Sequence, residues 1–292
     1  MSNFDLHQHI TDQLITIMEN GVAPWECPWI KQGNGMPMNY ASGKAYSGIN
    51  VLMLWLAASE NNYASSYWAT FKQIKAAGGN VIKGSKGHMV IYYDTYEKEN
   101  DQGDKNKIPF LKYYKVFNLD QTDLVVADDK ETKDAGQFQT TPAFCDVENA
   151  ITNMGVNIKW TGQGACYIPN IDEIHMPDKS LFYSEQGLIA TLMHEGIHAT
   201  GHKTRLDRKL SSRYGSSDYA IEEVITEFAT VLLQAEMGLV ADLHDHASYL
   251  ESWIKRAKED KRFLFKAMSD ATKAVEYFKA NLSAKNELKD VA

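Results

Sequence analysis

Five consecutive residues of this 292-residue chain, His194-Glu195-Gly196-Ile197-His198, combine residue types and a spacing that suit metal-assisted hydrolysis. On an α-helix, histidines four apart stand one above the other on one face. Their rings can therefore converge on a single Zn2+ while the glutamate between them borders the open coordination position. A catalytic zinc takes three protein ligands and leaves a place for water, whose acidity it raises; a neighbouring carboxylate can take that proton and pass it to a leaving amine. His194 and His198 are the candidate metal ligands and Glu195 the candidate catalytic base. Ile189, Ala190, Leu192 and Met193 predict that the preceding turns are packed into the protein, and Gly201 predicts a stop just beyond the motif.

A third ligand must come from elsewhere. His202 continues the i,i+4 series, but the metzincin pattern places its third histidine where Thr204 stands here. The next predicted helix carries Glu222, Glu223 and Glu227. Glu223 and Glu227 lie one turn apart, so one can bind metal while the other receives the free ring N–H of a ligand histidine and orients it. We assign Glu223 as the metal ligand and Glu227 as the orienting group, with Glu222 as the competitor for ligand. The segment Asp172-Glu173-Ile174-His175-Met176-Pro177 is expected to form an edge strand beside the metal that pairs with an extended substrate. His175 and Tyr219 are candidate oxyanion donors, although a surface histidine and a packed tyrosine are the plain alternatives.

These residues need a scaffold, and the hydrophobic periodicity supplies one. Phe4, Leu6, Ile10, Leu14, Ile17 and Met18 predict an opening helix over residues 4–19, and an apolar run predicts a buried helix from Ile49 to Ala58. A further helix is expected from Trp68 to Ala77. Val81 to Tyr96 and Phe110 to Asn118 read as the strands of a hairpin joined by a polar loop, Glu97 to Lys107. The charged tract from Asp128 to Asp134 reads as a linker. The second half predicts a helix from Val147 to Met154 and strands at Asn157 to Trp160, Ala165 to Ile168 and Glu173 to Met176. Helices follow at Ser184 to Gly201, Asp218 to Gly238 and, as a pair, from Ala247 onward. The expected fold class is α+β in two domains. Residues 1–127 form an α+β domain with a β-hairpin, 128–140 an acidic linker, and 141–292 a mainly helical metal-binding domain.

Hydrophobic residues at 44% and charged residues at 23% describe an ordinary globular protein. No apolar run approaches the ~18 residues of a membrane span, and MSNFDLHQHITDQ lacks the basic and apolar regions of a signal peptide, so a cytoplasmic protein without membrane partners is expected. Cys27, Cys145 and Cys166 are odd in number and form no CxxC pair, which fits a reducing compartment and excludes a cysteine zinc site. The net charge of −8 is unevenly spread: between Lys31 and Tyr93 there are six lysines and a single acid, Glu60. Aromatic residues are dense in the same stretch. Rings that stack on bases and ammonium groups that follow phosphates make a single-strand binding surface. Trp25, Trp29, Lys44, Tyr46, Trp68, Lys72, Lys83 and Lys86 are its candidates, weighed against the commoner use of aromatics as core.

The chain resembles the ArdC-type antirestriction proteins of conjugative plasmids and related mobile elements. In the first half the likeness rests on Ala23-Pro24-Trp25, Pro28-Trp29, Ser42-Gly43-Lys44-Ala45-Tyr46-Ser47-Gly48-Ile49-Asn50, Trp68-Ala69-Thr70-Phe71 and Tyr114-Lys115-Val116-Phe117-Asn118. In the second half it rests on residues 172–177, His194 to His202, Arg205-Leu206 and the Glu222-Glu223 helix. The family pattern usually has Leu-Gly where this chain has Gly196-Ile197, a swap that leaves the three polar residues in place. The resemblance implies an N-terminal domain that binds single-stranded DNA and a C-terminal metallopeptidase domain similar to SprT-like zincins. It also implies Zn2+ or another divalent transition metal at His194, His198 and a glutamate of residues 222–227, with Glu195 catalytic. The leading reading is a zinc metalloprotease tethered to incoming conjugative DNA and acting on a host protein such as a restriction subunit. The alternative is a DNA-coating protein whose metal site is structural or vestigial.

Overall fold

The computed structural model describes residues 5–20, 35–99, 105–124, 143–162, 164–210, 217–239 and 247–283. The opening period folds as α1 (Leu6–Glu19), whose N-cap Asp5 accepts the Gln8 N–H at 3.1 Å. By contacts the chain divides into two compact units, residues 27–133 and residues 1–26 together with 134–292. Trp25, Trp29 and the linker tract 128–140 lie outside the described residues.

The 27–133 unit contains β1 (Met38–Asn39), α2 (Ile49–Asn61), β2 (Tyr67–Thr70), α3 (Phe71–Ala76), β3 (His88–Glu99) and β4 (Lys105–Asn118). Its sheet runs in the order β1-β2-β4-β3; β1 is parallel to β2 and the other pairs are antiparallel. The helix expected from Trp68 to Ala77 is half strand. Trp68 and Ala69 pair with Asn118 and Phe117, and Thr70 ends the strand by forming a reciprocal capping box with Gln73 at the start of α3. The hairpin strands run longer than expected at their far ends, to Glu99 and from Lys105. Val81 is not part of β3 but makes an isolated bridge to Thr122. Leu54 of α2 packs with Trp68, Val90 and Val116, while Ile74 of α3 gathers Ala69 and Leu119 into a second cluster.

The other unit contains α4 (Ala143–Asn153), β5 (Asn157–Gly162), β6 (Cys166–Ile168), β7 (Glu173–Pro177), α5 (Glu185–Thr200), α6 (Ser217–Glu236), α7 (Ala247–Glu259) and α8 (Phe263–Ser283). Its sheet runs β5-β7-β6, parallel between β5 and β7 and antiparallel between β7 and β6. The strand at residues 173–177 is therefore the central one, not an edge. Both of its hydrogen-bonding sides are used, and Ile174 and Met176 point into the core. The edge strand that packs on α5 is β6.

Ser184 caps α5 by accepting the Gly187 N–H at 3.0 Å. Gly196 brings this helix against α4 and α8: a Cβ at that position would stand 2.7 Å from the Phe278 ring and 3.0 Å from Ile151. Helix α1, expected in the first domain, packs on α7, with the Thr11 hydroxyl donating to the Lys261 carbonyl at 2.8 Å and Lys258 paired with Glu19 at 2.6 Å. Its apolar stripe of Leu6, Ile10, Leu14, Ile15 and Met18 finds its cover among the last helices of the chain. Among the described residues no helix is long and apolar enough to cross a membrane.

Candidate metal centre

Helix α5 presents His194 and His198 on one face, and α6, packed across it, presents Glu223 to both. The two imidazole Nε2 atoms are 3.2 Å apart, and the Glu223 carboxylate oxygens lie 3.7 Å from His194 Nε2 and 3.5 Å from His198 Nε2. Zn–N and Zn–O bonds of about 2.0–2.1 Å at tetrahedral angles separate neighbouring ligand atoms by about 3.3–3.4 Å. The three side chains thus stand close to the spacing that one small divalent ion needs. One donor atom from each of the three falls within 4.8 Å of the other two.

The surrounding groups orient these side chains. His198 Nδ1 lies 3.2 Å from Glu222 Oε1 and 3.1 Å from the Thr226 hydroxyl, and His194 Nδ1 lies 3.6 Å from Glu227 Oε1. Glu222 is in turn held by Arg208, whose Nε and Nη2 reach its two oxygens at 3.0 and 2.7 Å. Each histidine therefore turns Nδ1 toward a carboxylate and Nε2 toward the common centre, the arrangement that fixes ring and tautomer in metal sites. Glu222, the competitor for the ligand position, serves His198 from behind. Tyr219 hydrogen-bonds the Glu223 carboxylate, whereas His175 lies on β7 beside Glu173, 3.6 Å from Nε2 to Oε2.

The electrostatics favour a cation. Burial would raise Glu222 and Glu223, but hydrogen bonds and charge from His198, with Arg208 at Glu222, hold both below the usual carboxylate range. Burial lowers His198, yet its bonds to the same two glutamates outweigh that and hold it at about 10. The field that keeps a proton on His198 is one that a divalent cation would satisfy instead. Glu195 differs. Burial pushes its carboxyl up to about 7 against the pull of His198 and of a hydrogen bond from the Tyr167 backbone N–H. A carboxyl with this environment can carry or release a proton near neutrality.

Two arginines on the turn after α5 were not singled out as site residues by spacing, although they sit directly behind the motif. Arg208 also donates to the Ile197 carbonyl at 2.9 Å and the Thr200 hydroxyl at 2.8 Å. Arg205 donates to the Ala199 carbonyl at 2.7 Å and grips Asp172, which also accepts from Tyr167 at 2.7 Å. That link ties the β6–β7 turn to the end of α5, and β6 carries the Tyr167 N–H that meets Glu195.

In the 27–133 unit, Lys44, Lys72, Lys83 and Lys86 are exposed. Trp68 is only 1% exposed, packed against Leu54 and Val116, so it is core and offers no ring to a base. Tyr46 is half-buried, its hydroxyl accepting from Asn39 at 3.1 Å. Among the described residues of this unit the outward rings are Tyr67, Phe71, Tyr92, Tyr93, Tyr113 and Tyr114. Tyr113 and Tyr114 lie beyond the lysine-rich stretch of residues 31–93, and Tyr114 figures in the sequence only within a segment that carries the family resemblance.

Fold and site together define the class: an α+β unit in a chain whose mainly helical unit carries a two-histidine, one-glutamate cluster suited to a divalent metal. Residues 4–117 match the family described as the N-terminal domain of anti-restriction factor ArdC, and residues 145–270 match the zincin-like metallopeptidase family. The chain is similar, at 41% identity over 96% of its length and 99% of the other chain, to the metal-free crystal structure of antirestriction protein ArdC from plasmid R388, with a TM-score of 0.82. Against the Mn(II)-bound structure of the same protein it shows 40% identity over 97% of its length and all of the other chain, with a TM-score of 0.80. It belongs to the ArdC-type antirestriction family. It is also 32% identical, over 99% of its own length and 96% of the relative's, to the uncharacterized protein y4eC of Sinorhizobium fredii. DNA primase TraC of Escherichia coli is 34% identical over 93% of this chain, but the chain spans 27% of that protein.

Proposed function

We propose that this protein protects incoming DNA of a mobile element in two ways at once: the 27–133 unit binds single-stranded DNA, and the His194, His198 and Glu223 cluster holds Zn2+ or a related divalent metal for peptide-bond hydrolysis. The observation that carries the second half is a cluster that has three donors among the described residues, with an additional buried carboxyl, Glu195, beside it. Structural zinc sites close with four protein ligands, whereas catalytic ones stop at three. A relative of the same fold is described as metal-free, which speaks against a metal required for folding. When bound, the metal supplies Lewis-acid polarisation of a carbonyl and acidifies water. Glu195 takes the water's proton and delivers it to the leaving amine. β6 is an edge strand whose Tyr167 N–H meets Glu195, and the rest of its free edge is suited to pair with an extended peptide. The protein substrate would be a host factor such as a restriction subunit.

The exposed lysines and outward rings support the DNA half, and the salt dependence of binding tests it: affinity for single strands is expected to fall steeply as salt rises. Glu195→Gln tests the protease half. The variant is expected to retain metal and single-strand binding and to lose both proteolysis and antirestriction in a conjugation assay. Antirestriction that survives unchanged in this variant would favour the DNA-coating alternative.

A further inference from the structure

One face of the 27–133 sheet carries a groove. Thr70 pairs with Val116 and Val90 with Tyr114; because residues two apart on a strand share a face, Thr70, Val90, Tyr92, Tyr114 and Val116 lie side by side. Leu54 of α2 covers part of this face near Val90 and Val116. The rest borders a cavity of about 290 Å3 lined by Val90 and Val116, by Tyr46, Tyr92 and Tyr114, and by the polar groups of Ser47 and Thr70 among others. Its walls are held in place from behind. The Asn50 amide bonds both the N–H and the carbonyl of Ile91 at 2.8 and 2.9 Å, and Asn39 donates to the Tyr46 hydroxyl.

Tyr92 and Tyr114 are 54% and 48% exposed, so two rings on one face keep much of their apolar area in water. Exposed lysines flank them: Lys112 is the register partner of Tyr92, and Lys44 lies next to the Ala45-Tyr46 wall. The cavity is at the floor of the roughly 300–1,000 Å3 range of small-molecule pockets, which fits a single flat ring system and little more.

We propose that this groove takes one unstacked base of single-stranded DNA, stacked on Tyr92 and Tyr114, with Lys44 and Lys112 following the phosphates on either side. Apolar floor, aromatic walls, polar rim and flanking cations are the parts that sequence-tolerant base stacking requires. The inference rests on the proposed single-strand binding and assigns its stacking site.

The test uses the full chain and an oligonucleotide containing 2-aminopurine. Binding of the unaltered protein is expected to change the probe's fluorescence. Tyr92→Ala and Tyr114→Ala are each expected to weaken binding about five- to 150-fold and to remove the fluorescence change, whereas Tyr92→Phe retains both. Lys44→Ala is expected to lower the salt slope by about one while keeping the fluorescence change. A second measurement needs no variant: photocrosslinks from 5-iodouracil DNA are expected at Tyr46, Tyr92 or Tyr114. Single-strand binding that is indifferent to both tyrosines, with crosslinks confined elsewhere, overturns the groove while leaving the DNA reading intact. Absence of any single-strand binding by the unaltered protein overturns both.

Discussion

Arg208 holds the Glu222 carboxylate with two hydrogen bonds, 3.0 Å from Nε and 2.7 Å from Nη2, and Glu222 in turn faces His198 Nδ1 at 3.2 Å. The guanidinium fork fixes one carboxylate, which fixes one imidazole, which aims Nε2 at the candidate metal position. Arg208→Gln is expected to weaken metal binding about 10- to 100-fold. It also takes the guanidinium from the buried Glu222 carboxylate and leaves it only His198 and Thr226, a loss of up to about 3–5 kcal/mol. The double variant Arg208→Met with Glu222→Leu is expected to recover stability but not metal affinity. Thermal unfolding of the metal-free protein and chelator competition separate the two effects; recovery of both would show that Arg208 does not act through Glu222.

Gly196 stands where α5 meets α4 and α8. Alanine there gains about 1 kcal/mol of helix propensity. The added methyl would meet the fully buried Phe278 and Ile151, and such overpacking costs about 1–3 kcal/mol. Overpacking is expected to win, so Gly196→Ala should lower the melting temperature. A rise would mean that both neighbours can step aside.

Asp172 is expected to make the turn between β6 and β7 acid-sensitive. Burial raises its pKa, but the hydrogen bonds from Arg205 and Tyr167 prevail and hold it below its ordinary value of 3.8. A depressed folded-state value means stability that is present above the unfolded pKa and lost as pH falls through the folded one. Asp172→Asn keeps a residue that tolerates the positive φ of 54° at this position and removes the charge together with one of the two oxygens that accept from Arg205. The difference in melting temperature between the two proteins is expected to be constant above about pH 5 and to shrink below pH 3.8. A difference independent of pH would assign the effect to packing.

Leu14, 1% exposed on α1, tests where the first helix belongs. Leu14→Ala is expected to cost about 2–5 kcal/mol. Hydrogen exchange should then accelerate in α7, which α1 covers, and remain unchanged in β3 and β4. The reverse pattern would return α1 to the 27–133 unit.

The sequence by itself determined whatever is local. The i,i+4 spacing of His194 and His198 and the neighbouring Glu195 follow from helix geometry, and nearly every helix and strand of the second half follows from its hydrophobic period. Tertiary structure decided the rest, because pairing across distance leaves no periodic signal. Glu222, Glu223 and Glu227 are adjacent acids on one helix, and only the angle at which α6 meets α5 turns Glu223 toward both Nε2 atoms, Glu222 toward one Nδ1 and Glu227 toward the other. Trp68 reads as a ring for stacking until Leu54 and Val116 close over it, and residues 173–177 read as an edge until β5 and β6 pair with both sides. Helix α1 is amphipathic in any reading, but an apolar stripe does not name its partner. That partner, α7, lies more than two hundred residues away.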